Sequence, residues 1–210
     1  MSHPYDLNRV STATVENEAE LAGTIALAFG SLPASLHLID EEVERHQVLV
    51  RTFQNDLEDV RKSGNGMIRT FPGLEACAVW MYHSGRSEPV PQLDARLEQA
   101  AGPWAPRFLE FYTALDDHRR EVMRKRSHWH LWVLAVHPDK QGQGFSRLLL
   151  VDRIVAFDVL GVPIYLEAAT EALADTYGRY GFKDVGEPIV LGDGKTRMFP
   201  MLREPDPSYL

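Results

Sequence analysis

Apolar side chains recur along this chain with two different periods, which predict both helices and strands. Where they recur every three or four residues, as at Leu21, Ile25 and Phe29, they form one stripe of an amphipathic helix. Segments of this kind span residues 16–29, 40–62, 92–126, 141–160 and 171–180, and the third is divided into two helices at Gly102-Pro103. Short segments of the strand type span residues 7–15, 67–71, 75–82, 131–136, 163–168, 185–191 and 196–202.

The second half of the chain has the clearer order of elements. The segment from Leu131 to Val136 is apolar at every position, which is typical of a strand inside a sheet covered on both faces. From there the order is strand, helix, strand, helix, strand, strand. This order predicts a mixed sheet with a parallel pair at its centre. Gly192-Asp193-Gly194 favours a hairpin between the last two strands.

Composition narrows the class of protein. The chain has 210 residues, 44% of them apolar, so one large globular domain is expected. Acidic residues outnumber Lys and Arg by 30 to 22, and this charge of −8 argues against a nucleic-acid partner. Residues 1–6 lack the features of a secretion signal, and no apolar run approaches the roughly 18 residues of a membrane span. We therefore expect no membrane partner. Because Cys77 is the only cysteine, no internal disulfide can form, and we expect a reducing, cytoplasmic environment.

The segment from His137 to Ser146 carries the strongest chemical signal. It follows the apolar strand and opens a long helix, and Gly142 and Gly144 allow the backbone to approach a ligand closely. The start of a helix offers unpaired N–H groups and the positive end of the helix dipole, which suit a phosphate. An ordinary capped turn is the alternative interpretation. A P-loop is excluded because no Gly-Lys-Ser/Thr sequence follows.

This turn resembles the signature of the GNAT superfamily of acyl-CoA-dependent acetyltransferases, Gln/Arg-x-x-Gly-x-Gly/Ala. The chain has Gln141-x-x-Gly144-x-Ser146 and departs from the pattern only by the small Ser146. The resemblance covers residues 129–202 well and the first half by element order. Within the superfamily the chain is most similar to the puromycin N-acetyltransferase type. That likeness is carried by Trp129, Gly161-Val162-Pro163, Leu166-Glu167 and Tyr177-x-Arg179-x-Gly181-Phe182.

The resemblance implies a GNAT-like α/β (α+β) fold. Its sheet would be mixed, mostly antiparallel, of six to seven strands, with a central splayed parallel pair and helices on both faces. Residues 1–210 would form a single acyl-CoA N-acyltransferase domain. Within it, residues 1–83 would supply the N-terminal strand, helices and hairpin, residues 84–128 a helical insertion, and residues 129–202 the cofactor-binding core.

The resemblance also implies acetyl-CoA as co-substrate. Backbone N–H groups from Gln143 to Ser146 would hold its diphosphate, and the strand edge from Leu134 to Val136 would pair with its pantetheine. Thr170 stands where many members carry an asparagine that touches the cofactor. The expected cofactor-binding residues are Leu134, Ala135, Val136, Gln141, Gly142, Gln143, Gly144, Phe145, Ser146 and Thr170.

Transfer from a thioester to an amine needs a neutral amine and a protonated leaving thiolate. Tyr177 is the expected acid, because the resemblance places it where many members direct a tyrosine at the sulfur; a core aromatic beside Phe182 is the alternative. Glu167 is the expected base, because it lies on a strand face where partial desolvation raises a carboxyl pKa. An exposed glutamate at the strand end, with a water chain as base, is the alternative.

Two other polar motifs have plainer interpretations. His128-x-His130 places two imidazoles on one strand face, and without a third ligand we expect packing and polar contacts and no metal. The acidic clusters Asp116-Asp117 and Asp40-Glu41-Glu42 are typical of solvated helix faces. Attraction of a cationic amine is the alternative for both clusters.

The expected activity is transfer of acetyl from acetyl-CoA to a primary amine of a small molecule by direct attack. Cys77 lies in a predicted strand away from the turn, so no covalent nucleophile is expected. The resemblance to the puromycin type alone implies a detoxifying role. Alternatives are a peptide or protein acceptor, a non-catalytic acyl-CoA sensor, and binding of another nucleotide. The acidic insertion at residues 84–126 favours a small-molecule acceptor, because it is expected to cover a closed pocket. We expect a monomer or homodimer.

Overall fold

The computed structural model describes residues 7–86 and 89–209. Residues 1–6, where no secretion signal is expected, and residues 87–88 of the predicted 84–128 insertion lie outside the described residues. The strands are β1 Ser11–Thr12, β2 Gly66–Thr70, β3 Ala76–His83, β4 His128–Val136, β5 Ile164–Ala168, β6 Lys183–Asp184, β7 Ile189–Val190 and β8 Arg197–Arg203. The helices are α1 Glu18–Phe29, α2 Pro33–Leu38, α3 Glu42–Ser63, α4 Ala95–Ala101, α5 Ala105–Met123, α6 Phe145–Val159 and α7 Glu171–Gly178.

The eight strands form one mixed sheet in the order β1-β2-β3-β4-β5-β8-β6, with β7 paired to β8. Every pair is antiparallel except β4 and β5. These two parallel strands pair only where Trp129 meets Ile164 and His130 meets Tyr165, and beyond that point they diverge. The expected central splayed pair is therefore present, and the edge of β4 after His130 faces a gap in the sheet.

A β-bulge in β4 determines which face of the sheet each side chain occupies in the second half of the strand. Trp80 of β3 pairs with Leu131 and Val79 pairs with Val133, so Trp132 has no opposite residue. One extra residue reverses the alternation of faces beyond the bulge. As a result Leu134 packs toward the α6 side of the sheet, as Leu131 does before the bulge.

Helices cover both faces of the sheet, as predicted. On one face α6 buries Leu149 and Phe157 against β3 and β4. On the other face α1 and α3 bury residues such as Ile25 and Leu57 against the same two strands. Side chains that fill both sides explain why β4 is apolar at every position of its second half. No helix of the described chain is both long and apolar enough to cross a membrane.

Three short segments differ from the pattern-based prediction. The strand expected over residues 7–15 reduces to β1, because 3-10 turns occupy Leu7–Arg9 and Val15–Asn17 on either side of it. Helix α2 was not predicted, although Pro33 stands at its first turn, where its lack of an N–H is harmless. The strand expected over residues 185–191 is interrupted at Pro188, which cannot donate to a ladder, so it is reduced to β7, and the short strand β6 lies just before it. The described sheet therefore has eight strands.

Candidate active site

The turn before α6 has the geometry of an anion site. Gly142 and Gly144 have φ of +75° and +83°, a backbone conformation that residues other than glycine rarely adopt. A Cβ at either position would meet no atom within 4 Å. The turn is closed by a hydrogen bond from Lys140 N–H to the His137 carbonyl (2.8 Å). In the described residues no acceptor engages the N–H groups of residues 143–146. Those amides are left for a ligand, and the helix begins four residues later than predicted because they form this turn.

A cavity of about 560 Å³ extends from this turn along the gap between β4 and β5; we call it the first cavity. Its wall includes most of the predicted site residues: Leu134, Val136, Gln141, Gly142, Gly144, Phe145, Ser146, Glu167, Thr170 and Tyr177. Gln143 does not line it. Neither does Ala135, which the bulge turns into the core on the opposite face, where it is 1% exposed. Only the backbone of Ala135 is therefore a candidate for contact with a ligand.

Thr170 lines the first cavity and is also the N-cap of α7. Its Oγ1 accepts a hydrogen bond from the N–H of Leu173 at 3.2 Å. The bond from Leu173 uses a lone pair of the hydroxyl oxygen, and the hydroxyl proton is still available to donate. Thr170 can therefore still donate to a ligand, but capping the helix is the role that its geometry explains.

Glu167 is buried and bonded to a histidine, which rules out the exposed strand end as its environment. Its Oε2 lies 2.8 Å from Nε2 of His130, and both side chains are 4% exposed. The remaining atoms of the pair, Oε1 of Glu167 and Nδ1 of His130, have no hydrogen-bond partner among the described residues. A buried polar atom without a partner is costly, so a ligand that bonds to Glu167 Oε1 would gain the energy that the protein leaves unused.

Tyr177 lines the first cavity from the end of α7, with its ring edge-on to Phe182 at 5.8 Å. Burial raises the pKa of the Tyr177 phenol well above its ordinary value. The group therefore keeps its proton at neutral pH and is available as a donor.

His128, the first histidine of the His128-x-His130 motif, has a structural role. The ring of His128 stacks on that of His83 at 4.9 Å, and its Nδ1 lies 2.9 Å from the Arg126 carbonyl oxygen. Burial lowers the pKa of His128 to about 3, so it is neutral at pH 7. Cys77 is fully buried in β3, and burial raises the pKa of its thiol to about 12, which makes it a poor nucleophile. Within the described ranges no three His, Cys, Asp or Glu side chains are arranged to hold a metal ion.

A second cavity, of about 630 Å³, lies between α3, α4 and α5. It shares a wall with the first cavity, formed by Thr52, Asp56, Tyr112, Leu115 and Trp132. We call these five residues the shared wall. Sequence reasoning did not select them. One signal was available, because Asp56 occupies the apolar stripe of α3 between Phe53 and Val60, where a carboxylate is unexpected.

Asp56 is the unusual member of the shared wall. Its Oδ2 accepts a hydrogen bond from the indole Nε1–H of Trp132 at 3.4 Å. Burial raises the pKa of Asp56 to about 7, although the bonds from Trp132 and Tyr112 act in the opposite direction. No ion pair of the described residues includes Asp56.

The two acidic clusters, at residues 40–42 and 116–117, are mostly exposed to solvent, as expected. Residues 40–42 are exposed, and Glu42 lies in the first turn of α3. Asp117 is exposed as well. Asp116 faces the second cavity, but its carboxylate is bound to Arg119 and Arg120, each at 2.5 Å. Because these carboxylates are exposed to solvent or already paired with arginine, the two clusters are poor candidates for attracting a cationic amine.

Part of the chain is similar to acetyltransferases of the GNAT type. Residues 119–204 match the model of the acetyltransferase (GNAT) domain. That range contains the splayed strands, the turn and both predicted catalytic residues. A curated relative, an uncharacterized N-acetyltransferase of Schizosaccharomyces pombe, is 30% identical over 102 residues. The aligned segment covers 47% of this chain and 41% of that relative, so it spans less than half of the relative's length.

Solved structures match nearly the whole chain. A Corynebacterium glutamicum protein, described as histone acetyltransferase HPA2 and related acetyltransferase, is 24% identical with a TM-score of 0.68, covering 94% of this chain and 96% of its own. Arylalkylamine N-acetyltransferase 2 of Aedes aegypti is 11% identical with a TM-score of 0.61, covering 94% and 99%. At these identities the likeness shows the fold alone, and the predicted fold class is confirmed.

Proposed function

We propose that this protein transfers an acetyl group from acetyl-CoA to the primary amine of a small molecule by direct attack. The observation that carries the proposal is that the first cavity is bordered by residues 144–146 with their unengaged amides, by the open edge of β4, and by Glu167 and Tyr177. The fold shared with an arylalkylamine N-acetyltransferase supports a small amine as acceptor.

The residues present fit acetyl-CoA. Residues 143–146 would bond its diphosphate through their N–H groups, and Lys140, which lines the same cavity, would add a positive charge. The backbone edge from Leu134 to Val136 would pair with the pantetheine amides, since β5 leaves that edge unpaired. Bound acetyl-CoA supplies an acetyl group activated as a thioester.

In this proposal Glu167 is the general base and Tyr177 is the general acid. Glu167 Oε1 accepts the proton that the amine loses as its nitrogen bonds to the acetyl carbon. His130 holds Glu167 in place through the bond at 2.8 Å. Tyr177 gives its proton to the sulfur as the carbon–sulfur bond breaks, so the thiol leaves uncharged. Cys77 takes no part, because it is sealed in β3.

Finer features of the proposal rest on the sequence resemblance. The likeness to the puromycin N-acetyltransferase type and the detoxifying role that it implies stay predictions. So do the single-domain organisation, the cytoplasmic location and the monomeric or homodimeric state. Helix α5, in the predicted 84–128 insertion, contributes Phe108 and Phe111 to the wall of the first cavity, which supports a small acceptor in preference to a protein.

The test is turnover of acetyl-CoA, measured as released thiol, with a panel of small amines, peptides and proteins. We expect release with at least one small amine and none without an acceptor. Release only with peptides or proteins would assign a macromolecular acceptor. Binding of coenzyme A without release for any class of acceptor would contradict the enzyme and favour the sensor. In the same series, ATP and NAD should leave the melting temperature unchanged while coenzyme A raises it.

Gly144→Ala is expected to weaken coenzyme A binding about 5- to 30-fold. A residue with a Cβ costs roughly 1–2 kcal/mol at the φ of +83° that the turn requires, and the empty turn can relax to avoid this cost. Calorimetric titration with coenzyme A measures the change. Gly23→Ala in α1 is the matched control, because a Cβ there also meets nothing within 4 Å and φ is not positive. Equal affinity of both variants would contradict a role of the turn in binding.

A further inference from the structure

The wall of the first cavity carries very few charges for its size. Among the described residues that line it, the charged ones are Lys140, Glu167 and Asp56. Lys140 belongs to the phosphate-binding turn. The other two are carboxyls, and they lie where the cavity is otherwise apolar and aromatic, with Phe53, Phe111 and the shared wall around them. This compartment therefore presents two acidic groups and no basic group.

Trp132 connects the two carboxyls. Its ring lies edge-on to that of His130 at 5.6 Å, and His130 bonds to Glu167. On its other side the indole N–H donates to Asp56. Asp56 is therefore linked to Glu167, the group that accepts the proton of the reacting amine, through the indole ring of Trp132 and the imidazole ring of His130.

Asp56 lacks a cation of its own. Arg96 lies close enough to attract it, but that guanidinium is held by Asp59 and by Glu58 at 2.8 Å. A carboxylate in an apolar environment is costly unless a positive charge compensates it. The aromatic rings of Tyr112 and Trp132, 5.8 Å apart, add faces that attract an ammonium group.

We propose that Asp56 and the aromatic rings of the shared wall bind a second positive group of the acceptor, so that the preferred substrates are diamines or amines that carry another cation. This inference rests on the proposed function. One amine of such a molecule would be acetylated beside Glu167, while the other stays protonated and bound to Asp56. The apolar surface between the two carboxyls would contact the methylene chain.

The experiment compares α,ω-diamines of three to six methylenes with monoamines of the same chain length. We expect kcat/KM to favour the best diamine about 10- to 100-fold, mainly through KM, since a hydrogen bond to a charged group has this strength. Asp56→Asn should remove most of that preference. Asp59→Asn, one turn further along α3, should keep it, because Asp59 lines only the second cavity and is already paired with Arg96. Calorimetry of diamine binding to the coenzyme A complex gives a readout that is independent of turnover.

The outcomes separate the two proposals. Absence of turnover with every amine contradicts the proposed function, whereas turnover without a preference for diamines contradicts only the role of Asp56. If Asp56→Asn lowers kcat equally for diamines and monoamines and leaves KM unchanged, Asp56 takes part in the chemistry and does not select the substrate. If Asp56→Asn does not fold, Asp56→Glu must restore folding and show a changed optimum of diamine length; an unchanged optimum overturns the proposal.

Discussion

Replacing Glu167 with glutamine is expected to lower kcat for any amine acceptor about 10²- to 10⁴-fold, the contribution of a well-placed general base. Glutamine keeps the size of the side chain and can still accept a bond from His130, but it cannot take up a proton. Affinity for coenzyme A should be unchanged, because Glu167 lies away from the turn before α6.

Glu171→Gln is the matched control for this experiment. Glu171 is exposed in the first turn of α7, four residues beyond Glu167, and the substitution removes the same charge without touching the first cavity. His130→Gln should reduce the rate as well. The double variant should be little worse than Glu167→Gln alone, because residues that act as a unit are not additive. Full activity of Glu167→Gln would show that a water chain or another group is the base.

Replacing Tyr177 with phenylalanine is expected to lower kcat about 100-fold while coenzyme A still binds. The phenol is the proton source for the departing sulfur, and phenylalanine preserves the ring contact with Phe182. Because burial raises the pKa of Tyr177 above its ordinary value near 10, the acid form persists as the pH increases. The wild-type enzyme should therefore show no loss of activity from this group below about pH 10. Single-turnover measurement of thiol release checks the rate of the chemical step.

Tyr180→Phe serves as the control, since Tyr180 also lines the first cavity three residues further along. A general loss of polar surface would slow both variants equally. If Tyr177 is the specific proton donor, only the Tyr177→Phe variant should be slower than the wild type. If neither variant is slower than the wild type, the thiolate leaves without help from a tyrosine.

The phosphate-binding turn was predictable because its signal is local. A glycine pair after an apolar strand and before a helix determines both the backbone conformation and the direction of the N–H groups, and these depend on neighbouring residues alone. The helices α1, α3 and α6 were predictable for a similar reason, since their apolar stripes repeat over several turns. Weaker segments, such as residues 7–15, depend on what they pair with and were predicted less well.

The partners within the site were not predictable in the same way. Glu167 was selected from its strand face, but its bond to His130 joins residues 37 positions apart. Asp56 comes from α3, and its partner Trp132 lies 76 positions away. The reversed alternation that removes Ala135 from the cavity depends on a bulge opposite β3.

The sequence by itself determined the order of elements, the glycine-containing turn and the family signature, because each is written in residues that are neighbours along the chain. Only the tertiary structure decided that Glu167 has a histidine partner and that Asp56 faces the same cavity. These relations arise when the sheet closes and helices pack on it, and the contacts that define them have no fixed spacing in the sequence.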